Sequence, residues 1–216
     1  MTETSEAGRE TVLVVDDDDD ARRILEILLR ASGYHAVGFP SAEAFLASAY
    51  SHHPACMVLD MNMPGLSGAE LQDLAARRGI RLAIVFLTAF GDIALGVNAM
   101  KKGAVDFLEK PARPDVLLAA VRQGLETIRE SLAESREREA WTSRVARLTE
   151  RERTVLREVL DGRLNKQVAS RLGLAERTVK HHRANAMAKL EAASVAEVAR
   201  LVERFGALDA GGTPTP

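Results

Sequence analysis

The sequence is poor in cysteine, tryptophan and long apolar stretches, with one Cys and one Trp among its 216 residues. A single cysteine excludes an intramolecular disulfide and is typical of a reducing compartment. Because Cys56 is followed by the apolar residues MVL, we expect its thiol to lie in a buried strand. A membrane-spanning helix needs roughly 20 consecutive apolar residues, and no run approaches that length. The N-terminal segment MTETSEAGRE is polar and acidic, so we expect no secretory signal and a cytoplasmic location.

A small net charge hides an asymmetry along the chain. The formal charge is −2, but residues 141–216 hold 14 basic and 9 acidic residues, whereas residues 1–140 hold 15 basic and 22 acidic residues. Hydrophobic residues make up 46% of the chain and charged residues 28%, which is typical of a globular protein and excludes a largely disordered one. The acidic part is suited to holding a cation, and the basic part to meeting phosphate groups.

Short apolar runs alternate with amphipathic stretches from residue 11 to about residue 121. Each run is bounded by charge, glycine or proline, as buried parallel strands are. The predicted strands are residues 11–15, 35–37, 56–59, 82–87 and 105–108. Strands that alternate with helices predict an α/β fold with a doubly wound, five-stranded parallel sheet. Ligands of such sheets bind beyond the carboxyl ends of the strands, so the functional residues are expected there.

Helical patterns connect the predicted strands and continue beyond them. Ser41 and Ser67 stand before two of these patterns as candidate N-caps. The first helix is predicted to have one apolar face, formed by Ile24, Leu25, Leu28 and Leu29. After Pro114, apolar residues recur at spacings of three and four, and the segment RESLAESREREA that follows is mostly charged or small. We interpret residues 129–145 as a helical linker between two domains.

Charged and hydroxyl residues directly follow the predicted strands. A run of aspartates starts at Asp16, Asp60 follows the third strand, Thr88 the fourth, and Lys110 lies just after the fifth. Three carboxylates gathered at one sheet edge would repel one another, and a hard divalent cation, Mg²⁺ above all, would relieve that repulsion. Asp60 could then act as a nucleophile toward a phosphoryl donor. Taken singly, the same residues also fit a helix start at 18–20, a turn and a surface lysine.

Four segments of the sequence together resemble a known family. They are VLVVDDD, MVLDMNMPGLSG, VFLTAF and GAVDFLEKP, which occur in this order within residues 11–125. In residue pattern and spacing they are similar to the receiver domains of two-component response regulators, which share the CheY/flavodoxin-like fold. The resemblance implies that Asp60 is the phosphoacceptor for a sensor histidine kinase, with Thr88 and Lys110 as its catalytic partners.

The same resemblance implies a metal site and a switch. The implied Mg²⁺ ligands are Asp16, Asp17, Asp60 and the backbone carbonyl of Asn62. Thr88 and Phe107 match the switch pair of the family, in which the threonine moves toward the phosphoryl group and the aromatic ring turns inward. A cis peptide bond before Pro111 is also expected.

Residues 148–205 have a purely helical pattern, with Gly162 and Gly173 as breaks. Thr149 and Glu152 have the spacing of a capping box at the start of the first helix. Two further helices, near 166–172 and 176–190, are joined by a short turn that contains a glycine, which is the helix-turn-helix arrangement. A basic surface helix that only keeps a small domain soluble would have the same periodicity.

The residue pattern of this segment favours a DNA-binding domain over a basic surface helix. LTERE, NKQVA and RTVKHHRANAMAKL resemble LuxR-type helix-turn-helix domains, and their pairing with a receiver is similar to the FixJ and NarL response regulators, closest to the FixJ branch. Relatives usually carry serine where this chain has Ala175, which predicts a weaker N-cap on the second helix of the motif. The candidate DNA-binding residues are Asn165, Lys166, Arg177, Thr178, Lys180, His181, His182, Arg183, Asn185 and Lys189.

These features predict four segments and one function. The segments are a receiver domain (9–128), the linker (129–145), a small all-α helix-turn-helix domain (146–206) and a disordered tail (207–216). We expect a non-enzymatic, DNA-binding transcriptional regulator that is phosphorylated on Asp60. Its expected partners are a histidine kinase, double-stranded DNA and a second copy of the chain, with RNA polymerase as a further candidate and no membrane partner. The alternatives are a Mg²⁺-dependent phosphohydrolase with an Asp nucleophile, and a receiver that signals by protein binding without phosphorylation.

Overall fold

The computed structural model describes residues 10–88, 93–206 and 208, which fall into two compact units. The N-terminal unit ends at Leu132 and the C-terminal unit begins at Ala133. Among the described residues, none of the helices combines the length and the hydrophobicity of a membrane span.

In the described part of the N-terminal unit, five parallel strands form one sheet in the order β2-β1-β3-β4-β5. The strands are β1 (Thr11–Val15), β2 (His35–Phe39), β3 (Ala55–Asp60), β4 (Leu82–Thr88) and β5 (Asp106–Glu109). The strand order reverses between β1 and β3, so a crevice opens at their carboxyl ends. The predicted doubly wound parallel sheet is confirmed.

Helices cover both faces of this sheet. They are α1 (Asp19–Ala31), α2 (Ala42–Leu46), α3 (Gly68–Arg78), α4 (Ile93–Lys101) and α5 (Pro114–Ala146), with a 3-10 turn at Ala49–His52. Successive strand residues point to opposite faces, so the sheet has two cores. One core joins Leu13, Met57 and Phe86 to α2, α3 and α4, and the other joins Val14 and Cys56 to α1 and α5. The expected burial of Cys56 is confirmed, and burial raises the pKa of its thiol to about 12.

Most of the predicted local signals are present, with two corrections. Ser41 and Ser67 cap α2 and α3 through their hydroxyl groups, as predicted. Ile24 does not lie on the inner face of α1: its exposed fraction is 65%, because it lies roughly 140° around the helix from the buried Leu29. The last strand begins one residue later than predicted, since Val105 bonds to Ile84 from the turn and the paired register starts at Asp106.

The helix α5 supplies side chains to the cores of both units. Leu117, Val121 and Leu125 belong to the core of the N-terminal unit. The residues predicted as a linker, 129–145, all lie within α5, and the last of them include Trp141 and Val145, which are buried in the core of the C-terminal unit. Part of the segment that we interpreted as a connector is therefore core of that unit.

The described residues of the C-terminal unit form a helical fold. After the end of α5 come α6 (Glu150–Leu160), α7 (Asn165–Leu172), α8 (Glu176–Leu190) and α9 (Val195–Phe205). The predicted capping box of Thr149 and Glu152 is present at the start of α6. Gly173, with φ of 66°, ends α7 in the left-handed conformation and opens the short turn to α8. The predicted tail lies outside the described residues, apart from Leu208.

Candidate functional site

Three carboxylates meet at the carboxyl edge of the sheet. Asp16 and Asp17 follow β1, and Asp60 ends β3, the strand beside it. One ligand oxygen from each of the three lies within 4.8 Å of the others. Asp16 and Asp60 are buried, whereas Asp17 is exposed. The structure thus brings together the three acidic side chains that were predicted to share a cation.

The run of five aspartates divides into two parts with different uses. Asp18 is the N-cap of α1, and its carboxylate accepts hydrogen bonds from the backbone N–H groups of Asp20 and Ala21. The bonds from Ala21 and Asp20 are the main reason that the pKa of Asp18 lies below its ordinary value. Asp19 and Asp20 occupy the first helical turn, where the helix dipole favours negative charge. Only Asp16 and Asp17 remain for the cluster with Asp60.

Lys110 joins the two buried carboxylates. Its Nζ donates to Asp16 Oδ2 and to Asp60 Oδ2, both at 2.7 Å. Partial burial acts to lower the pKa of Lys110, but the hydrogen bonds to Asp16 and Asp60 outweigh it, so this pKa lies above its ordinary value. The backbone N–H of Lys110 also donates to the Thr88 carbonyl at 2.7 Å, which ties the residue to the end of β4. The expected cis peptide bond before Pro111 is present.

The loop after Asp60 is held close to its carboxylate. The backbone N–H of Asn62 donates to Asp60 Oδ1 at 3.2 Å, and that of Gly68 donates to the Met61 carbonyl at 3.1 Å. A Cβ atom at Gly68 would overlap the backbone oxygen of Asp60, so this position requires glycine. The loop therefore returns tightly from β3 to α3, and it keeps Asn62 next to the acidic cluster.

Thr88 lies on β4, the strand next to β3, and Phe107 lies on β5, on the far side of β4. Thr88 is buried at the end of β4, and the preceding residue, Leu87, is the register partner of Asp60. Phe107 is half-buried on β5, with its ring centroid 6.4 Å from that of Phe86. A Cβ atom at Gly96 of α4 would come within 2.8 Å of the Phe107 ring, so the ring packs directly on the α4 backbone.

Arg22 is a contributor that the sequence interpretation missed. Its Nη1 donates to the backbone carbonyl of Asp16 at 2.7 Å, and its other guanidinium nitrogen pairs with Asp19. The contact stabilises the turn that presents Asp16 and Asp17. The spacing of Arg22 and Asp19 is a common surface pair on helices, so it gives no signal for a contact with a backbone carbonyl.

The charge balance of the cluster favours a bound cation. Three carboxylates face one ammonium group, and the exposed position of Asp17 leaves the cluster open to solvent. Carboxylate oxygens are the ligands that hard divalent ions prefer. The donor set therefore fits such an ion, which would offset the negative charge that Lys110 leaves uncompensated.

The C-terminal unit presents its cations in a different way. Val179, Ala186 and Leu190 of α8 are buried, while Arg177, Lys180 and His181 lie on its exposed side. Lys166 at the start of α7 is also exposed, and Thr178 and His182 are partly exposed. The N-cap Ala175 makes no side-chain hydrogen bond to α8, in line with the weak cap that was expected.

Several of the candidate DNA-binding residues also have partners inside the unit. Arg183 donates to Asn165 at 3.3 Å and so links α8 to α7, while Asn185 bonds to His181 within α8 at 3.1 Å. Lys180 pairs with Glu176 at 3.1 Å on the surface. Lys189 differs from these, because its Nζ lies 2.7 Å from Oε2 of the buried Glu152. This pair gives Lys189 a structural use that the helical pattern did not reveal.

Comparison with known proteins assigns both units. Residues 12–122 match the response regulator receiver domain, and residues 146–202 match the bacterial regulatory proteins of the luxR family. The FixJ transcriptional regulatory protein of Azorhizobium caulinodans is 42% identical over 205 residues, which cover 94% of this chain and 97% of that protein. The chain belongs to the response-regulator family. Nodulation protein W of Bradyrhizobium diazoefficiens is also 42% identical, over 94% of this chain and 89% of its own length.

Solved structures agree with this assignment. The structure of the response regulator StyR matches with a TM-score of 0.82 and 43% identity, over 91% of this chain and all of that one. Full-length FixJ from B. japonicum matches with a TM-score of 0.56 and 36% identity, over 91% of this chain and 97% of that one. A receiver joined to a LuxR-type domain makes this response regulator a phosphorylation-regulated transcriptional regulator. A kinase and DNA are its partners at the level of the family.

Proposed function

We propose that Asp60 is the phosphoacceptor and that its phosphorylation controls DNA binding by α7 and α8. In the proposed step a carboxylate oxygen of Asp60 attacks the phosphorus of a phosphohistidine on a sensor kinase. The O–P bond forms as the P–N bond breaks, and the histidine nitrogen leaves with the bonding electron pair. The observation that carries the proposal is the 2.7 Å contact of Lys110 with Asp60 beside two further carboxylates at the open edge of the sheet.

The surrounding residues divide the work of this step. Asp16, Asp17, Asp60 and the Asn62 carbonyl would hold a Mg²⁺ ion, which when bound supplies positive charge to the phosphoryl oxygens. Lys110 is already aimed at Asp60 and would form an ion pair with the transferred phosphoryl group. The Thr88 hydroxyl would bond the same group and thereby move, and the Phe107 ring would turn toward the space that Thr88 leaves.

The change in Thr88 and Phe107 would alter the surface of α4, β5 and the start of α5. We propose that this surface then forms a homodimer, which presents two α8 helices to DNA half-sites about one helical turn apart. The DNA contacts would come from the exposed cations of α8, with Asn165 and Lys166 at the start of α7. The proposed receiver spans 9–128 and the proposed DNA-binding domain 146–206, with Trp141 and Val145 at the end of α5 completing the core of the latter. RNA polymerase is a further partner to test.

Incubation with acetyl phosphate and Mg²⁺, followed by intact mass measurement, tests the proposal. Wild-type protein should gain the mass of one phosphoryl group, and Asp60→Asn should gain none. Asp115→Asn is the matched control, because it removes an exposed carboxylate from the start of α5 and should be labelled like the wild type.

The same experiment separates the two alternatives. Sustained turnover of small phosphate esters by the purified chain would support the phosphohydrolase. A wild-type protein that binds Mg²⁺ but gains no phosphoryl group, under conditions that label a known receiver, would contradict phosphorylation and support signalling by protein contact.

A further inference from the structure

The loop between β3 and α3, residues 61–67, has a second attachment far from Asp60 in the sequence. At its end, the backbone N–H of Leu66 donates to Oε1 of Glu43 at 2.9 Å. Glu43 belongs to α2, which lies on the same face of the sheet as α3. The loop is thus bound at its start to Asp60, through Asn62, and at its end to a side chain from another helix.

Two observations indicate that the Glu43 carboxylate fits the loop closely. Its own backbone N–H, that of Leu66 and the Ser41 hydroxyl hold the pKa of Glu43 below its ordinary value, so it stays an ionised acceptor. The neighbouring Gly65 has φ of 79°, and a Cβ atom there would come within 2.8 Å of Oε1. The positive φ favours glycine at this position, and without a Cβ atom the loop backbone lies close to the carboxylate.

The helix that carries Glu43 is itself firmly placed. The residue before Glu43, Ala42, and the residue two positions after it, Phe45, are both fully buried in the core on this face of the sheet. Met61 and Met63 of the loop are buried in the same core, whereas Asn62 between them is exposed, and its backbone N–H donates to Asp60 Oδ1. The backbone position of Asn62 therefore depends on anchors on both sides.

We propose that Glu43 is a positioning residue for the cation site. Through Leu66 it holds the loop so that the Asn62 carbonyl stays available beside Asp17 and Asp60. This inference rests on the proposed function for its cation site, but the contact with Leu66 can be tested without any phosphorylation.

The test compares Glu43→Ala with Glu43→Gln in the full chain. Glutamine keeps an acceptor oxygen for the Leu66 N–H, whereas alanine removes it. Hydrogen exchange at the Leu66 amide should become roughly five-fold faster in Glu43→Ala and stay near the wild-type rate in Glu43→Gln. Mn²⁺ affinity is measured from the electron paramagnetic resonance signal of the free ion. It should fall roughly three- to ten-fold in Glu43→Ala and stay unchanged in Glu43→Gln. This loss is at or below the lower end of the range that is typical when a residue that orients a metal ligand is removed.

Two controls keep the outcomes distinct. Glu130→Ala removes an exposed carboxylate from α5 of the same unit and should leave both readouts unchanged. Asp17→Asn should abolish most Mn²⁺ binding, and wild-type affinity in that variant would contradict the proposed cation site itself. If Asp17→Asn does lower the Mn²⁺ affinity, two results would overturn the positioning role of Glu43 alone. One is a Glu43→Ala variant with the Mn²⁺ affinity of the wild type. The other is a Glu43→Gln variant that binds Mn²⁺ as weakly as Glu43→Ala does.

Discussion

Each unit of the molecule pairs a lysine with a buried carboxylate at 2.7 Å, but the two pairs differ in their balance of charge. In the C-terminal unit Lys189 meets one carboxylate, that of Glu152, which also accepts the Thr149 N–H at 2.8 Å. In the N-terminal unit Lys110 meets two carboxylates, and Asp17 is a third close by. The first pair is balanced, whereas the second retains excess negative charge.

This difference separates a structural ion pair from the pair that we propose takes part in phosphorylation. A balanced and hydrogen-bonded pair can be buried, since each charge has its partner. A cluster with more carboxylates than cations gains stability when a further cation binds or when a carboxylate takes up a proton. A buried lysine–carboxylate pair is therefore a weak indicator of function, and the number of charges around it decides between the two roles.

The largest expected effect concerns the end of α5, which supplies Trp141 to the core of the C-terminal unit. Trp141→Ala should lower the free energy of unfolding of the C-terminal unit by about 3–5 kcal/mol, because a large buried ring is removed from its core. Hydrogen exchange of the α8 amides measures this free energy in the full chain. Arg136→Ala, an exposed change in the same stretch of α5, should alter it by less than about 0.5 kcal/mol. Equal effects of the two variants would mean that residues 129–145 act only as a connector.

Removal of the lysine from the unbalanced pair should mainly affect chemistry. Lys110→Met should slow labelling by acetyl phosphate by about a hundred-fold or more, since an aimed positive charge is lost from the phosphoryl site. The labelling rate is followed by intact mass at saturating Mg²⁺. Lys101→Met, an exposed change in α4, provides the baseline. A rate within a few-fold of that baseline would show that Lys110 only neutralises Asp16 and Asp60.

The balanced pair should instead affect stability, with a characteristic pH dependence. Burial acts to raise the pKa of Glu152, but the bonds from Lys189 and Thr149 outweigh it and hold this pKa below its ordinary value of 4.5. The unfolded chain therefore takes up this proton at a higher pH than the folded one does, so the stabilisation is complete above pH 4.5 and declines as the pH falls through the lowered value. Glu152→Gln should cost about 1–3 kcal/mol at neutral pH, and its deficit should shrink below pH 4.5.

Urea unfolding followed by Trp141 fluorescence measures this difference. The chain has one tryptophan, and it is buried in the C-terminal unit, so the signal reports on that unit alone. Glu150→Gln, with a side chain that is 77% exposed, is the matched control. A deficit that stays constant between pH 7 and pH 3 would exclude the carboxylate charge of Glu152 as its cause.

The smallest expected effect is on DNA affinity, and it distinguishes the surface cation Arg177 from Lys189, which is paired inside the unit. Arg177→Ala should weaken binding to a mixed-sequence DNA duplex roughly ten-fold and reduce the slope of log affinity against log salt by about 1, as expected for one lost phosphate contact. Lys189→Ala should leave that slope unchanged, because its ammonium is paired with Glu152. The same loss of slope in both variants would mean that the internal pair opens when DNA binds.

Local signals in the sequence account for much of the fold and for part of the site. The apolar runs, the serine caps, the capping box at Thr149 and the glycine turn before α8 act within a few residues, so they can be predicted without tertiary information. The exposure of Ile24 and the late start of β5 were missed, since both depend on packing against other elements. The contact of Glu43 with Leu66 had no signal in the sequence, because 23 residues separate the partners.

The aspartate run shows which features the sequence alone determines and which depend on the tertiary structure. The residue types alone determined that acids follow a strand and begin a helix, because strand pattern and N-capping are local properties. The sheet order decided that Asp16 and Asp17 would meet Asp60, since only the pairing of β1 with β3 brings their ends together. In the same way, α8 was basic by composition, but packing against α6 assigned Lys189 to Glu152. Electrostatic energy depends on distances through space, and for residues far apart in the chain those distances exist only after folding.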